Sequence, residues 1–258
     1  MDKQNKSEAF LKVDTFSNKS VAKSLLLKSD DVIVALENNM YFKGENALIE
    51  DLNLLKKENK KAILTIYRNG KFFDIIITSS LGCKFISTDS EETKLISKNF
   101  SKKEVFDMSE LKEFIAMRDL THNFEILSKS KSLAAGLFPP LWLSYHRKWW
   151  LLSVFTILSF LLIVINFWFF VFGWVCVSVY CYNGQLELLV SFSRLSGKAH
   201  SLILAAPNID IAQLIVRNLN PKAKFLVSKL DDPVDEDIID KSVENPENKI
   251  SDSQEALV

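Results

Sequence analysis

The chain has 258 residues, with 32 Lys and Arg against 32 Asp and Glu and a mean hydropathy of +0.08, a size that suits one or two small domains. Seven Gly and six Pro exclude a collagen-like or Gly/Pro-rich low-complexity chain, and three cysteines (Cys83, Cys176, Cys181) exclude a disulfide-stapled secreted mini-domain. The zero net charge hides an asymmetry: residues 231–258 carry ten acids and two lysines, −8, which leaves 30 basic against 22 acidic residues, +8, in residues 1–230.

Residues 1–20 are too polar for the apolar segment of a signal peptide, so the first 130 residues are expected in the cytosol, which fits unpaired cysteines. Residues 10–16 (FLKVDTF) alternate as a strand, and residues 31–36 (DVIVAL) read as a short buried strand. Residues 44–57 read as a helix with Leu48, Leu52 and Leu55 on one face. Residues 62–68 (AILTIYR) and 72–78 (FFDIIIT) flank Asn69-Gly70, a strong short hairpin signal.

That order, with its wording, resembles a bacterial PDZ domain over residues 8–80. The matching stretches are Val21-Ala22, the run from Leu26 through Lys28, Asp30 and Asp31 to Ile33, then Glu37-Asn38-Asn39, and Tyr67-Arg68-Asn69-Gly70-Lys71. Leu26 and Asp30 stand where the family has glycines, so those turns are expected to be rebuilt without φ > 0. The resemblance implies a groove that takes a peptide C-terminus as an added strand. Its candidate residues are Phe10, Leu11 and Val13 on the strand at 10–15 and Leu48, Leu52 and Leu55 on the helix opposite. Ser80-Leu81-Gly82-Cys83 looks most like the carboxylate-binding loop, but it follows the last strand and would serve only in a permuted topology. The alternative is a PDZ-like fold that has lost ligand binding.

Residues 81–131 read as a charged connector. Within it, residues 108–127 place Leu111, Phe114, Ile115, Leu120, Phe124 and Leu127 for an amphipathic helix, lying on a membrane or packing one face on the N-terminal domain. Residues 132–148 read as an interfacial or re-entrant segment broken at Pro139-Pro140 and ending in His146-Arg147-Lys148. From Trp149 to Tyr182 there is no Asp, Glu, Lys, Arg or His. One helix of that length far exceeds a ~30 Å hydrocarbon core, whereas two helices turning near Asn166 fit its short end. The expectation is therefore a transmembrane helical hairpin at 149–183, with a single long kinked span as the alternative. Trp142, Tyr145, Arg147, Lys148, Trp149, Trp150, Tyr180 and Tyr182 are the expected membrane-interface residues.

The run Leu137-Phe138-Pro139-Pro140-Leu141-Trp142, followed by Tyr145-His146-Arg147 and Trp149, resembles the bacterial membrane family known as domain of unknown function 2628, with Pro139 where that family tends to have Gly. The resemblance extends through a strand at 198–206 and a helix at 209–219, within a small C-terminal element at 184–221. It implies a membrane location and no activity. Residues 231–258 read as a disordered acidic tail.

His122, His146 and His200 lie far apart, and no metal-ligand spacing, Gly-x-Ser-x-Gly, Walker A or Rossmann glycine string occurs. No catalytic residue, metal, cofactor or nucleic-acid partner is expected. The sequence thus reads as an α+β membrane protein: a PDZ-like β-rich domain, an amphipathic linker helix, a two-helix transmembrane hairpin, a small β-α element and a disordered tail. It is expected in the inner membrane as a multi-pass protein with both termini cytoplasmic. Its partners would be the bilayer and a protein met through a C-terminal or internal peptide. The alternative function is a non-enzymatic subunit of a transport or envelope complex.

Overall fold

Buried apolar runs of four to eight residues form strands when they find neighbours on both faces, and this chain supplies them from both ends of its sequence. The computed structural model describes residues 9–17, 20–231 and 233; the tail read as disordered falls almost entirely outside them. In chain order the elements are β1 (Leu11–Phe16), α1 (Val21–Ser24), β2 (Val32–Leu36), β3 (Asn39–Met40), α2 (Glu45–Lys57), β4 (Ala62–Arg68), β5 (Lys71–Ile77) and β6 (Cys83–Ser87). Then come α3 (Ser90–Phe100), β7 (Lys112–Arg118), β8 (Asn123–Ser128), α4 (Leu133–Leu137), α5 (Pro139–Tyr145), α6 (Trp149–Ile165) and α7 (Phe167–Asn183). The chain closes with α8 (Gln185–Leu195), β9 (Ala199–Ala206), α9 (Ile209–Leu219) and β10 (Lys224–Phe225).

The ten strands among the described residues join one sheet in the order β10-β8-β7-β9-β5-β4-β2-β1-β6, with β3 paired to β2. The seam between the two halves is β9, which pairs with β5 at Asp74 and Ala205 and with β7 along most of its length. One sheet face carries α2 and α9: Leu48 and Leu52 share a buried cluster with Leu64, Ile75, Leu204, Ala212 and Val216. The opposite face is covered by α3, through Ile96 and Phe100 on Phe10, Val32 and Val34, and by the α5–α8 group, through Trp142, Leu143 and Leu189 on Met117 and Leu127.

The expected architecture of an α+β membrane protein is overturned. The molecule is a mixed α/β protein dominated by the ten-stranded sheet, and the PDZ-like stretch is part of that sheet, not a separate β-rich domain. Likewise, the C-terminal β9 and α9 are no small appendage, because β9 lies in the middle of the sheet. The two-helix transmembrane hairpin does not fit either. Among the described residues no single helix is long and apolar enough to cross a membrane. At 1.5 Å per residue, each 17-residue helix reaches only about 26 Å, short of a ~30 Å core. Helices α7 and α8 reach span length only together, and they bend by 83° at their junction. Helices α6 and α7 break at Asn166, whose side chain accepts the Trp168 amide at 2.8 Å and caps α7. They pack on each other, with Phe155 and Trp174 rings 5.5 Å apart.

The amphipathic linker helix is also absent. Residues 112–128 form the β7–β8 hairpin, Phe114 pairing with Ser128 and Arg118 with Phe124. Phe114 and Ala116 face α9, while Ile115 and Met117 face α5 and α8. A strand buried on both faces loses the alternation that marks a half-exposed one, and its apolar positions then mimic helical spacing. The turn is held by Asp119, whose carboxylate accepts the amides of Thr121 and Asn123 at 2.8 Å each.

Candidate functional site

Two features stand out: a groove at the β6 edge and a charged joint beneath α6 and α7. Strand β1 cannot accept an added peptide, because it pairs with β2 on one side and β6 on the other. The sheet ends at β10 on one side and at β6 on the other, and among the described residues no strand flanks β6 on its outer side. Its first residues follow Ser80-Leu81-Gly82, and helix α2 lies across from it. Between them is a cavity of about 220 Å³, lined by Leu48, Ile49 and Leu52 of α2, Leu81, Gly82 and Cys83 of the loop, and Phe85 of β6.

The loop geometry follows from its glycine. Gly82 has φ +68, and a Cβ there would meet Ser20 at 3.3 Å, so both the dihedral and the space favour Gly. The carbonyls of Leu81 and Gly82 accept the amides of Ala22 (2.9 Å) and Ser17 (3.3 Å). No acceptor among the described residues takes the amides of Leu81 or Gly82. The loop is thus tied down through its carbonyls, with two donors unspent. Burial, reinforced by the negative charge of Glu45, pushes the Cys83 thiol up to about 11, so it lines the cavity as a neutral group.

Of the six groove residues expected from sequence, Leu48 and Leu52 line this cavity, although their side chains are almost wholly buried. Leu55 lies on the other side of α2, in a second cavity beside Tyr41. Phe10 packs on the opposite sheet face under α3, stacked on Phe42 at 4.7 Å, while Leu11 and Val13 are buried in β1. Sequence reasoning missed Ile49 and Phe85; the Ser80–Cys83 wording was the signal that pointed to them.

A buried ion pair joins two of the PDZ-like words. Arg68 donates from Nε and Nη2 to the two carboxylate oxygens of Asp31, each at 2.6 Å, and from Nη2 to the Leu26 carbonyl at 3.2 Å. Asp31 also accepts the Lys28 amide at 2.7 Å. The flanking turns are not rebuilt as expected: Leu26 keeps φ +60 and Asp30 φ +72. These non-glycine residues hold the left-handed conformations that glycine would adopt freely, at a cost of ~1 kcal/mol for Leu26.

The second feature lies at the foot of α6. Glu125 on β8 accepts Lys148 Nζ at 2.9 Å on one oxygen and Lys198 Nζ at 2.8 Å on the other. Ser193 of α8 donates to Glu125 at 2.8 Å, and Lys148 reaches Ser193 Oγ at 3.3 Å. Burial would raise the Glu125 carboxyl, but the hydrogen bonds from Lys198 and Lys148 prevail and hold it below the usual range. His146, next to the joint, is lowered by burial and by Lys148. A hydroxyl beside lysines is one way to build a nucleophile; here Ser193 is fully buried and spends its proton on Glu125. Among the described residues no group of three His, Cys, Asp or Glu could hold a metal ion.

The eight expected interface residues divide. Tyr145, Arg147, Trp149, Trp150 and Tyr180 are exposed. Trp142 is a core residue, packed with Leu143 and Leu189, and Lys148 is drawn into the ionic joint. Tyr182 is half-buried, approached by Gly136 and capped by Lys131, whose Nζ sits 5.4 Å from the ring centroid. Above this foot, α6 has no buried residue at all, and Ile157, Phe160, Val164, Trp168 and Phe172 are more than half exposed.

No protein-family model matches this chain, and no curated protein matches it. The PDZ-like and domain-of-unknown-function resemblances therefore stand on the quoted residues alone.

Proposed function

We propose that this protein is a membrane-attached binding module that captures an extended, apolar-ended peptide between α2 and β6. The observation that carries this reading is the cavity beside the β6 edge, which no described strand covers, headed by the Ser80–Cys83 loop whose Leu81 and Gly82 amides have no acceptor among the described residues. Strand addition would satisfy the β6 backbone, the loop amides would take the peptide carboxylate, and Leu48, Leu52 and Phe85 would receive the last side chain. This is the permuted arrangement of a PDZ groove.

Membrane attachment accounts for α6 and α7. Soluble monomers rarely expose contiguous apolar patches beyond a few hundred Å², and two helices apolar all round leave no face for water. The pair is read as immersed in the bilayer without crossing it, with the sheet at the surface. The cytoplasmic face of a bacterial inner membrane is the location that the family resemblance implies. The module recruits and holds; no chemistry is assigned to it.

The test uses the full chain in mild detergent and fluorescent peptides ending in Val or Leu, as free acids and as amides. Free acids should bind, and amidation should weaken them by about tenfold or more, the cost of losing a charge-assisted pair of hydrogen bonds. Ile49→Glu, a partly exposed position on the cavity wall, should abolish binding with an unchanged melting profile. Leu52→Glu is the poorer probe, since Leu52 is 1% exposed and its replacement would break the core. Absence of binding to any free-acid peptide would defeat the proposal.

A further inference from the structure

We infer that the foot of α6 and α7 binds anionic phospholipid headgroups, an assignment that rests on the membrane reading above. Residues 132–195 contain a single acid, Glu187, against His146, Arg147, Lys148 and Arg194. The acid that does approach this foot is Glu125 from β8, and it is already shared by two lysines, so that joint keeps a net positive charge. Around it stand three exposed cations: Lys131, Arg147 and Arg194. None has an acidic partner among the described residues; Lys131 sits over the Tyr182 ring and Arg194 Nη2 lies 3.4 Å from His200 Nδ1.

These cations are gathered by the ionic joint. Arg147 precedes Lys148 and Arg194 follows Ser193, and Lys148 and Ser193 are bonded to each other and to Glu125. Lys131 joins them through α4, whose Ser132 amide and carbonyl pair with the Gln185 side chain at 2.8 and 3.0 Å. The same end of the helix pair exposes Tyr145, Trp149, Trp150 and Tyr180. Aromatic rings beside cations that have no acidic partner among the described residues, at the end of an apolar helix pair, match the polar boundary of a bilayer. Anionic lipid then supplies the counter-charge that the described residues around this foot do not give these cations, worth roughly fivefold in binding for each cation near the surface.

The experiment is flotation of the full chain with phosphatidylcholine vesicles and with vesicles in which part of the lipid is phosphatidylglycerol. Wild type should partition at least about tenfold better into the anionic vesicles at low salt, an advantage that shrinks as salt shortens the Debye length. Arg147→Gln with Arg194→Gln should remove most of that advantage while leaving neutral-vesicle binding unchanged. Both positions are exposed, so the fold should persist, checked by the melting profile. Equal partition into both vesicles would overturn the headgroup assignment and leave membrane attachment standing. Flotation with neither would overturn both. Displacement from anionic vesicles by inorganic phosphate at matched ionic strength would assign the cations to free phosphate and sink the lipid assignment.

Discussion

The two ends of the sheet handle buried charge in opposite ways. At the β2–β4 end, Asp31 and Arg68 form a closed two-bond pair, with side chains 1% and 9% exposed. The guanidinium also sits 4.9 Å from the Phe73 ring centroid. At the β8 end, Glu125 is half-buried and divides its oxygens between two lysines. The closed pair fastens turns of a single half, holding the Leu26 carbonyl and the Lys28 amide in place. The open joint fastens elements far apart in the chain: the start of α6, the end of α8 and the start of β9. One stabilises local shape; the other attaches the apolar helices to the sheet while leaving charge to spare.

The sharpest way to break that comparison is Asp31→Ala. It strands a buried guanidinium, which typically costs about 3–5 kcal/mol, and denaturant unfolding of the full chain should show a loss in that range. A loss below about 1 kcal/mol would mean the closed pair is no more than a surface contact.

A smaller effect is expected at the open joint. Glu125→Gln should cost about 1–3 kcal/mol, since it removes the counter-charge of two partly buried lysines and turns an NH2 donor toward one of them. It should also change the acid response. A carboxyl held low in the folded state adds stability that is present above its ordinary value of 4.5 and drains away as pH falls below it. Melts from about pH 6 to about pH 3 should therefore drop more steeply for wild type than for Glu125→Gln. Parallel curves would show that the joint is not stabilised by ionisation.

The smallest effect concerns the strained turn. Leu26→Gly should be more stable than Leu26→Ala by about 1 kcal/mol, because both lose the side chain and only Gly is relaxed at φ +60. Equal melting temperatures for the two variants would place no strain at that turn.

Local features were legible wherever one residue type dictates a backbone state. Asn69-Gly70 turns β4 into β5 with both residues at positive φ. Asn166 interrupts the apolar run between α6 and α7. The β7 and β8 strands were illegible because burial on both faces erases the period of two. The groove was half legible: the helix residues Leu48 and Leu52 and the Leu81-Gly82 wording could be read, but not which strand stood across from them. That depends on β1 being flanked on both sides, a long-range pairing with β6 that no local pattern encodes.

Composition and short-range chemistry alone determined that this chain has an apolar, uncharged helical segment, a basic approach to it and a set of turn-punctuated strands. Such properties follow from dihedral preference and hydrophobicity, which act over a few residues. Only the tertiary structure decided that the described strands share one sheet, that β6 lies at one of its ends, and that Lys148, Ser193 and Lys198 converge on Glu125. The reason is that β pairing and ion pairing join residues by space: β9 inserts between β5 and β7 although 121 residues separate it from the end of β5 and 80 from the end of β7, and only the folded chain brings them within bonding distance.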